Sequence, residues 1–297
     1  MQNKYYLAFD VGTTNWKAAI YDEQGRQQDI ERCATITHTD ADGHSYYDPY
    51  ELWDCLKAIA QKVIGRNPFP ISAISVASLA EAIVPIDRDG NPAGQIITWY
   101  DTRSVAEAKE YVSMFGAEYT FSVTGLDVNP IFSIPKIMWI RKHKPAVYEA
   151  AVKWLQLHDY VLFRLCGEIV TDYTMACRTL AFDVMKNDWS DELLHRLEID
   201  RDVFPRIVES GTVVGTVLPL VGSELGLSGA PKVVVGGHDH PCASIVTGAV
   251  QDAKVLDSSG TAEAYLYISA KGARPEMTFK GQRTARYLEK DRYVLWG

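Results

Sequence analysis

Apolar and polar positions along the chain change period several times, and each change marks an element. Residues 5–11 (YYLAFDV) and 17–21 (KAAIY) are short apolar or aromatic runs separated by Gly12-Thr13-Thr14-Asn15-Trp16. The turn Asp22-Glu23-Gln24-Gly25 follows, so the pattern predicts a hairpin with a glycine-containing tip. Asp48-Pro49-Tyr50-Glu51 has a capping acid, a proline at the first helical position and Glu three residues after the cap. Leu52, Leu56, Ile59, Ala60 and Val63 then fall on one helical face, which predicts a helix to about Gly65. Residues 71–78 (ISAISVAS) and 95–99 (QIITW) are buried-strand candidates around the turn Asp87 to Asn91. Helical patterns dominate from about 102 to 166. Short strands are predicted at 169–171, 180–184 and 213–217, with a helix over 191–197 capped by Ser190.

Near the end, Val233-Val234-Val235 leads through Gly236-Gly237-His238-Asp239-His240 into a helix opened by Pro241. Val255-Leu256, the turn Ser258-Ser259-Gly260-Thr261 and the run 264–268 then repeat the strand, polar tip, strand unit of the N-terminus. Strands alternating with helices make the chain α/β, and the repeated unit suggests two related halves, the second barely begun at Gly297.

Composition narrows the partners. The 297 residues carry 30 Lys plus Arg against 38 Asp plus Glu, a formal charge of -8, so a binder of nucleic-acid backbone is not expected. No apolar run approaches the ~20 residues of a membrane span and no signal core precedes Asp10, which gives a cytoplasmic protein with no membrane partner as the expectation. Cys33, Cys55, Cys166, Cys177 and Cys242 are odd in number, far apart and never in a C-x-x-C pair, so reduced, buried fillers are expected.

The tip Asp10-Val11-Gly12-Thr13-Thr14 has what a phosphate site needs: a glycine that lets successive amides converge, two hydroxyl donors, and a carboxylate able to hold magnesium through water. Taken alone, it is also what a tight hairpin needs. The second tip, Ser258-Ser259-Gly260-Thr261, repeats the chemistry, and a two-lobed clamp on one triphosphate accounts for both. Neither G-x-x-x-x-G-K-[ST] nor G-x-G-x-x-G occurs.

Phe9 to Thr14, Trp99-Tyr100-Asp101-Thr102-Arg103, His158-Asp159-Tyr160, Thr171-Asp172-Tyr173-Thr174, Gly236-Gly237-His238-Asp239 and Asp257 to Thr261 occur in the order and approximate spacing of the FGGY family of carbohydrate kinases. The chain resembles the sugar-binding first domain of that family over residues 1–250 and the start of the ATP-binding second domain over 251–297. The resemblance implies an actin-like ATPase (ribonuclease H-like) fold, truncated in the second domain. It implies ATP with Mg2+ as cofactors, a small-molecule sugar, ketose or polyol as acceptor, and a homodimer as a possible assembly. A chain of this length would then lack most of the adenine pocket and have negligible turnover on its own.

Asp239 matches the family's catalytic aspartate. A carboxylate near a helix N-terminus, whose dipole favours the ionised form, suits removal of a proton from an attacking hydroxyl; the same spacing also suits a simple N-cap. His238 and His240 flank it at strand-like spacing, a possible metal pair for which substrate hydrogen bonding or packing is the better reading. Ala80-Glu81 occupies the place where relatives carry a sugar-contacting pair, and Glu81 can accept hydroxyl hydrogens or stand as a solvated strand-end charge. Trp99 and Asp101 are expected on one face, offering a stacking surface and a hydroxyl acceptor; Trp99 suits a core position equally, and Arg103 can pair with Asp101. Asp159 and Asp172 read as caps or turn acids. The alternative function is an actin-like nucleotide-binding sugar sensor without kinase activity, which needs no base beside its ligand.

Overall fold

The computed structural model describes residues 4–250, 254–259, 263–270 and 283–297. The chain begins with β1 (Tyr5–Val11), β2 (Asn15–Asp22), β3 (Gln27–Ala34), β4 (His38–Thr39), β5 (Ser45–Tyr47) and α1 (Pro49–Arg66). It continues through β6 (Ile71–Ser78), β7 (Ile83–Ile86), β8 (Ile96–Ile97), α2 (Val105–Phe115), α3 (Ala117–Thr124), α4 (Ser133–His143) and α5 (Pro145–Ala150). Next come β9 (Lys153–Gln156), α6 (Leu157–Cys166), β10 (Val170–Asp172), α7 (Tyr173–Ala176), β11 (Phe182–Asp183), β12 (Asp188–Trp189) and α8 (Asp191–Leu197). The last elements are β13 (Arg206–Val208), β14 (Val213–Thr216), α9 (Pro219–Leu225), β15 (Lys232–His238), α10 (Asp239–Thr247), β16 (Val255–Ser259), β17 (Glu263–Ser269), β18 (Arg283–Arg286) and β19 (Tyr293–Trp296).

The principal sheet has the order β14-β15-β6-β1-β2-β3, with β1, β6 and β15 mutually parallel and the rest antiparallel. α1 covers one face. Asp48 caps it by accepting from the amides of Tyr50 and Glu51, and Leu52, Trp53, Leu56, Ile59, Ala60 and Val63 are buried against the sheet. A second apolar core joins Ile134, Ile137 and Ile140 of α4 to Leu266, Ile268, Val294 and Trp296 of the sheet β16-β17-β19-β18. The last strands therefore pack on the body of the chain.

Several expectations are corrected. The helical stretch is interrupted by β9, and β7 was not foreseen because the apolar run Ile83-Val84-Pro85-Ile86, buried at every position, carries no period. The strand expected over 95–99 shrinks to two residues, and that over 180–184 shrinks to Phe182–Asp183. β15 does not stop at Gly236 but runs through His238, so α10 opens at Asp239 with His238 as N-cap, not at Pro241. Cys33 and Cys55, expected as separate fillers, have their sulfurs in contact between β3 and α1 with Cα atoms 7.4 Å apart. The packing of β3 on α1 brings them together, which no sequence spacing announces.

The continuation of β15 rests on its two glycines. Its register against β6 shifts between Val234 and Gly237, and a Cβ on Gly236 would lie 1.9 Å from the Val76 carbonyl oxygen. Only a residue without a side chain permits that approach. Gly236→Ala is predicted to cost about 3 kcal/mol of unfolding free energy in urea titration, in the range of overpacked cores. A change below about 0.5 kcal/mol would show that the strands separate freely.

Candidate active site

Parallel strands end at a common edge, and three of them deliver the candidate residues there. β1 ends at Val11, β6 at Ser78 and β15 at His238, so Asp10 to Thr14, Leu79 to Glu81, and His238 to His240 meet outside the carboxyl ends of the strands. They line one cleft of about 1150 Å3 together with Lys17, Trp99, Arg178, Ser258 and Trp296. Its acids, Asp10, Glu81, Asp127, Asp239 and Glu263, outnumber its bases, Lys17, Arg178 and Arg283.

At one end is the first hairpin tip. Gly12 donates its amide to Asn15 O at 3.2 Å, so the amide expected to face a phosphate closes the hairpin instead. Trp99 donates Nε1 to Thr13 Oγ1 at 2.9 Å, packing on the core while lining the cleft. Lys17 reaches Asp10 Oδ2 at 2.7 Å, with side-chain exposures of 37% and 41% leaving both open to the cleft. Sequence reasoning missed Lys17, although hairpin register places it directly opposite Asp10.

Deeper in, Glu81 is buried, with φ 66 in the left-handed region that non-glycine residues rarely occupy. Its backbone is clamped from both sides: the amide donates to Gln156 Oε1 at 2.8 Å and the carbonyl accepts from Lys136 Nζ at 2.8 Å. Its carboxylate forms a buried ion pair with Arg178 through Nε and Nη2. A solvated strand-end charge is therefore excluded. Lys136 is fully buried on α4, and burial pushes its ammonium down to about 7 against the pull of Glu81 and Asp101. Arg178 and Lys136 carry one weak sequence signal each, a lone cation inside an apolar stretch.

The third wall is His238-Asp239-His240. His238 Nε2 lies 3.2 Å from Asp239 Oδ1, and its ring stacks on Trp296 with centroids 5.3 Å apart. His240 Nδ1 meets Ser258 Oγ at 2.7 Å, joining the second hairpin to the start of α10. Burial pushes both imidazoles down, His238 the further, so they are neutral near pH 7. The expectation that the helix terminus keeps Asp239 readily ionised is corrected. Burial pushes its carboxyl up to about 7, and the charges of Asp10 and Glu81 add to the rise against an opposing bond from the His240 amide. Ligand atoms of His238, Asp239 and His240 lie within 4.8 Å of one another, a spacing that could also hold a cation.

Other candidates fall elsewhere. Asp101 does not line the cleft, because residues 98–101 form a turn in which strand alternation does not apply. Its oxygens accept from the Ser45 amide at 2.6 Å and from the Arg103 amide and guanidinium. Burial alone would raise its carboxyl, but Arg103 holds it below the ordinary value. Ala80 is buried at the cleft wall. Ser258 lines the cleft while Ser259, pointing the other way along β16, is exposed. Gly260 and Thr261 lie outside the described residues. Asp172 caps α7 and Asp159 completes the capping box of α6, as read from sequence.

This arrangement has counterparts. Residues 5–246 match the model of the FGGY family of carbohydrate kinases, N-terminal domain. The chain belongs to the FGGY family of carbohydrate kinases. It is 30% identical to a xylulose kinase of Bacillus subtilis (strain 168) over 99% of this chain and 59% of that protein. It is 33% identical to a glycerol kinase of Thermococcus kodakarensis over 76% of this chain and 47% of that protein. The solved structures of a gluconate kinase and a ligand-bound xylulose kinase from Lactobacillus acidophilus superpose with TM-scores of 0.92 and 0.91, each at 25% identity, covering 100% and 99% of this chain and 60% and 59% of theirs. The FGGY chain thus has the actin-like ATPase fold and spans about half to three-fifths of the length of such relatives. Among the described residues no helix is long and apolar enough to cross a membrane.

The buried lysine gives a signed pH dependence. An unfolded chain keeps Lys136 protonated to about 10.4, whereas the folded chain releases the proton near 7, so between these values the unfolded state binds more protons and this group makes stability rise with pH. Between pH 7 and 9 the native protein should gain about 2 kcal/mol relative to Lys136→Met in denaturant titrations. Parallel stability curves would show that Lys136 stays charged.

Proposed function

We propose that this FGGY chain carries the acceptor site and the catalytic base of an ATP-dependent kinase that phosphorylates a hydroxyl of a sugar, ketose or polyol by in-line transfer. The observation that carries the reading is Asp239. It faces the same cleft as the Glu81–Arg178 pair and the Asp10–Lys17 pair, with a carboxyl that titrates near neutrality. A base with such a value accepts a hydroxyl proton at physiological pH and releases it readily.

The residues at the tip end fit a nucleotide's phosphates: a carboxylate, an ammonium and hydroxyls converge at Asp10, Lys17, Thr13, Thr14 and Ser258. When bound, ATP with Mg2+ supplies the phosphoryl group and neutralises its charge. Asp10 would hold the metal through water, and Lys17 would keep that carboxylate oriented. Glu81 and Ala80 shape the acceptor end, Trp99 offers the acceptor a stacking surface, and Asp239 positions the hydroxyl and takes its proton. Residues 1–250 form the acceptor domain in this reading and 251–297 open the nucleotide domain. The names of the xylulose and glycerol kinases given above support a small-molecule sugar or polyol as acceptor. No observation favours the sensor reading.

In a full-length protein that contains this chain, Asp239→Asn should leave acceptor affinity within a few-fold while lowering turnover, followed as ADP release, by roughly 10² or more. Turnover within threefold of the native protein would remove Asp239 from the mechanism. The acid limb of kcat/KM for the acceptor should fall as pH drops through about 7, because protonation occupies the base. A flat profile between pH 6 and 8 would contradict the assignment.

A further inference from the structure

Three side chains that line the cleft together with Asp239 each carry a buried nitrogen with no hydrogen-bond partner among the described residues: Arg178 Nη1, His238 Nδ1 and Trp296 Nε1. Each belongs to a side chain that is at least nine-tenths buried and lines the cleft. They form one wall. The Arg178 guanidinium is sandwiched between the rings of Phe132 at 5.0 Å and Trp296 at 5.2 Å, and Trp296 stacks in turn on His238. Glu81 fixes the other edge of the guanidinium. Burying three such groups unpaired is costly, and a rigid aromatic sandwich that leaves them so is arranged for something that pairs them.

We propose that Arg178 and Trp296, with His238, are acceptor-binding and specificity-determining residues, and that they receive the oxygens of an uncharged polyhydroxylated substrate. The inference deepens the phosphoryl-transfer reading and rests on it for the occupant of the cleft. Arg178 and Trp296 are donors only, whereas a neutral imidazole offers either a donor or an acceptor at Nδ1, so hydroxyl groups, which both give and receive, complement the wall as a whole. An anionic sugar acid fits worse. The positive charge of Arg178 is already neutralised by Glu81, and a second carboxylate would enter a cleft whose acids outnumber its bases. Trp296 lies on β19, so the last strand of the chain takes part in choosing the acceptor, and residues 251–297 serve more than the nucleotide.

The test is calorimetric titration of the unaltered 297-residue chain, Trp296→Phe and Arg178→Lys with D-xylulose, an uncharged ketose, and with D-gluconate, an aldonate. Trp296→Phe keeps the ring on His238 and removes only Nε1; Arg178→Lys keeps a cation for Glu81 and removes the planar fork. The unaltered chain should bind D-xylulose at least tenfold more tightly than D-gluconate, and each variant should weaken D-xylulose by about tenfold, the usual loss for an unpaired substrate hydroxyl. The melting midpoint of Trp296→Phe should stay within a few degrees of the native value. D-xylulose affinity within twofold of native in Trp296→Phe overturns the role of Trp296, whatever the fate of Arg178→Lys. Tighter binding of D-gluconate overturns the uncharged class, and binding of neither sugar overturns the inference as a whole. In each case phosphoryl transfer is judged separately by ADP release from a full-length protein that contains this chain, so the two readings fail independently.

Discussion

Where β15 crosses β6, the Val76 carbonyl lies so close to Gly236 that no side chain fits between the strands. That contact lets β15 continue to His238 and turn directly into α10, which sets His238, Asp239 and His240 at the carboxyl edge of the sheet. A Cβ on Gly237 would press on Thr174 Oγ1 and Asp172 Oδ2, and Thr174 Oγ1 in turn accepts the His238 amide at 2.9 Å. Asp172, read as a structural cap, thus supports the strand end that carries Asp239. The site is an outcome of backbone proximity before it is one of side chains.

Three of the five acids that line the resulting cleft come from the carboxyl edge of the sheet, and each is handled differently. Lys17 meets Asp10 in a half-exposed pair open to solvent and ligand. Glu81 is locked onto Arg178, with its backbone clamped by Gln156 and Lys136. Asp239 has the His238 and His240 imidazoles beside it, and burial pushes its carboxyl up to about 7. The three surroundings suit different roles: Asp10 and Glu81 each hold a cation, and Asp239, with its carboxyl pushed up to about 7, can trade a proton.

The local features were legible in the sequence because local physics makes them. The hairpin of β1 and β2, the capped helix α1, the strand β6 and the cap at Ser190 all follow from short-range periodicity and capping chemistry. The resemblance to the FGGY family assigns Asp10, Glu81 and Asp239 to one site. What stayed hidden depends on contacts far apart in the chain. Arg178 finds Glu81 across 97 residues, and Trp296 reaches His238 from the last strand. Asp101 misled for a related reason: the alternation rule holds for strands, and the chain turns at Thr98 before reaching it. The ionisation of Asp239 was misjudged because a helix terminus is visible in sequence, whereas burial beside two other carboxylates is not.

The account stands most directly on the protonation of Asp239 in the folded protein. A carbon-detected NMR titration of the carboxyl-labelled protein, with Asp239→Asn used to assign the signal, measures it without any substrate. The predicted midpoint is about 7, moving down when Glu81→Gln removes one of the charges that raise it. A midpoint near the ordinary aspartate value of about 4, unmoved by that substitution, would contradict the account.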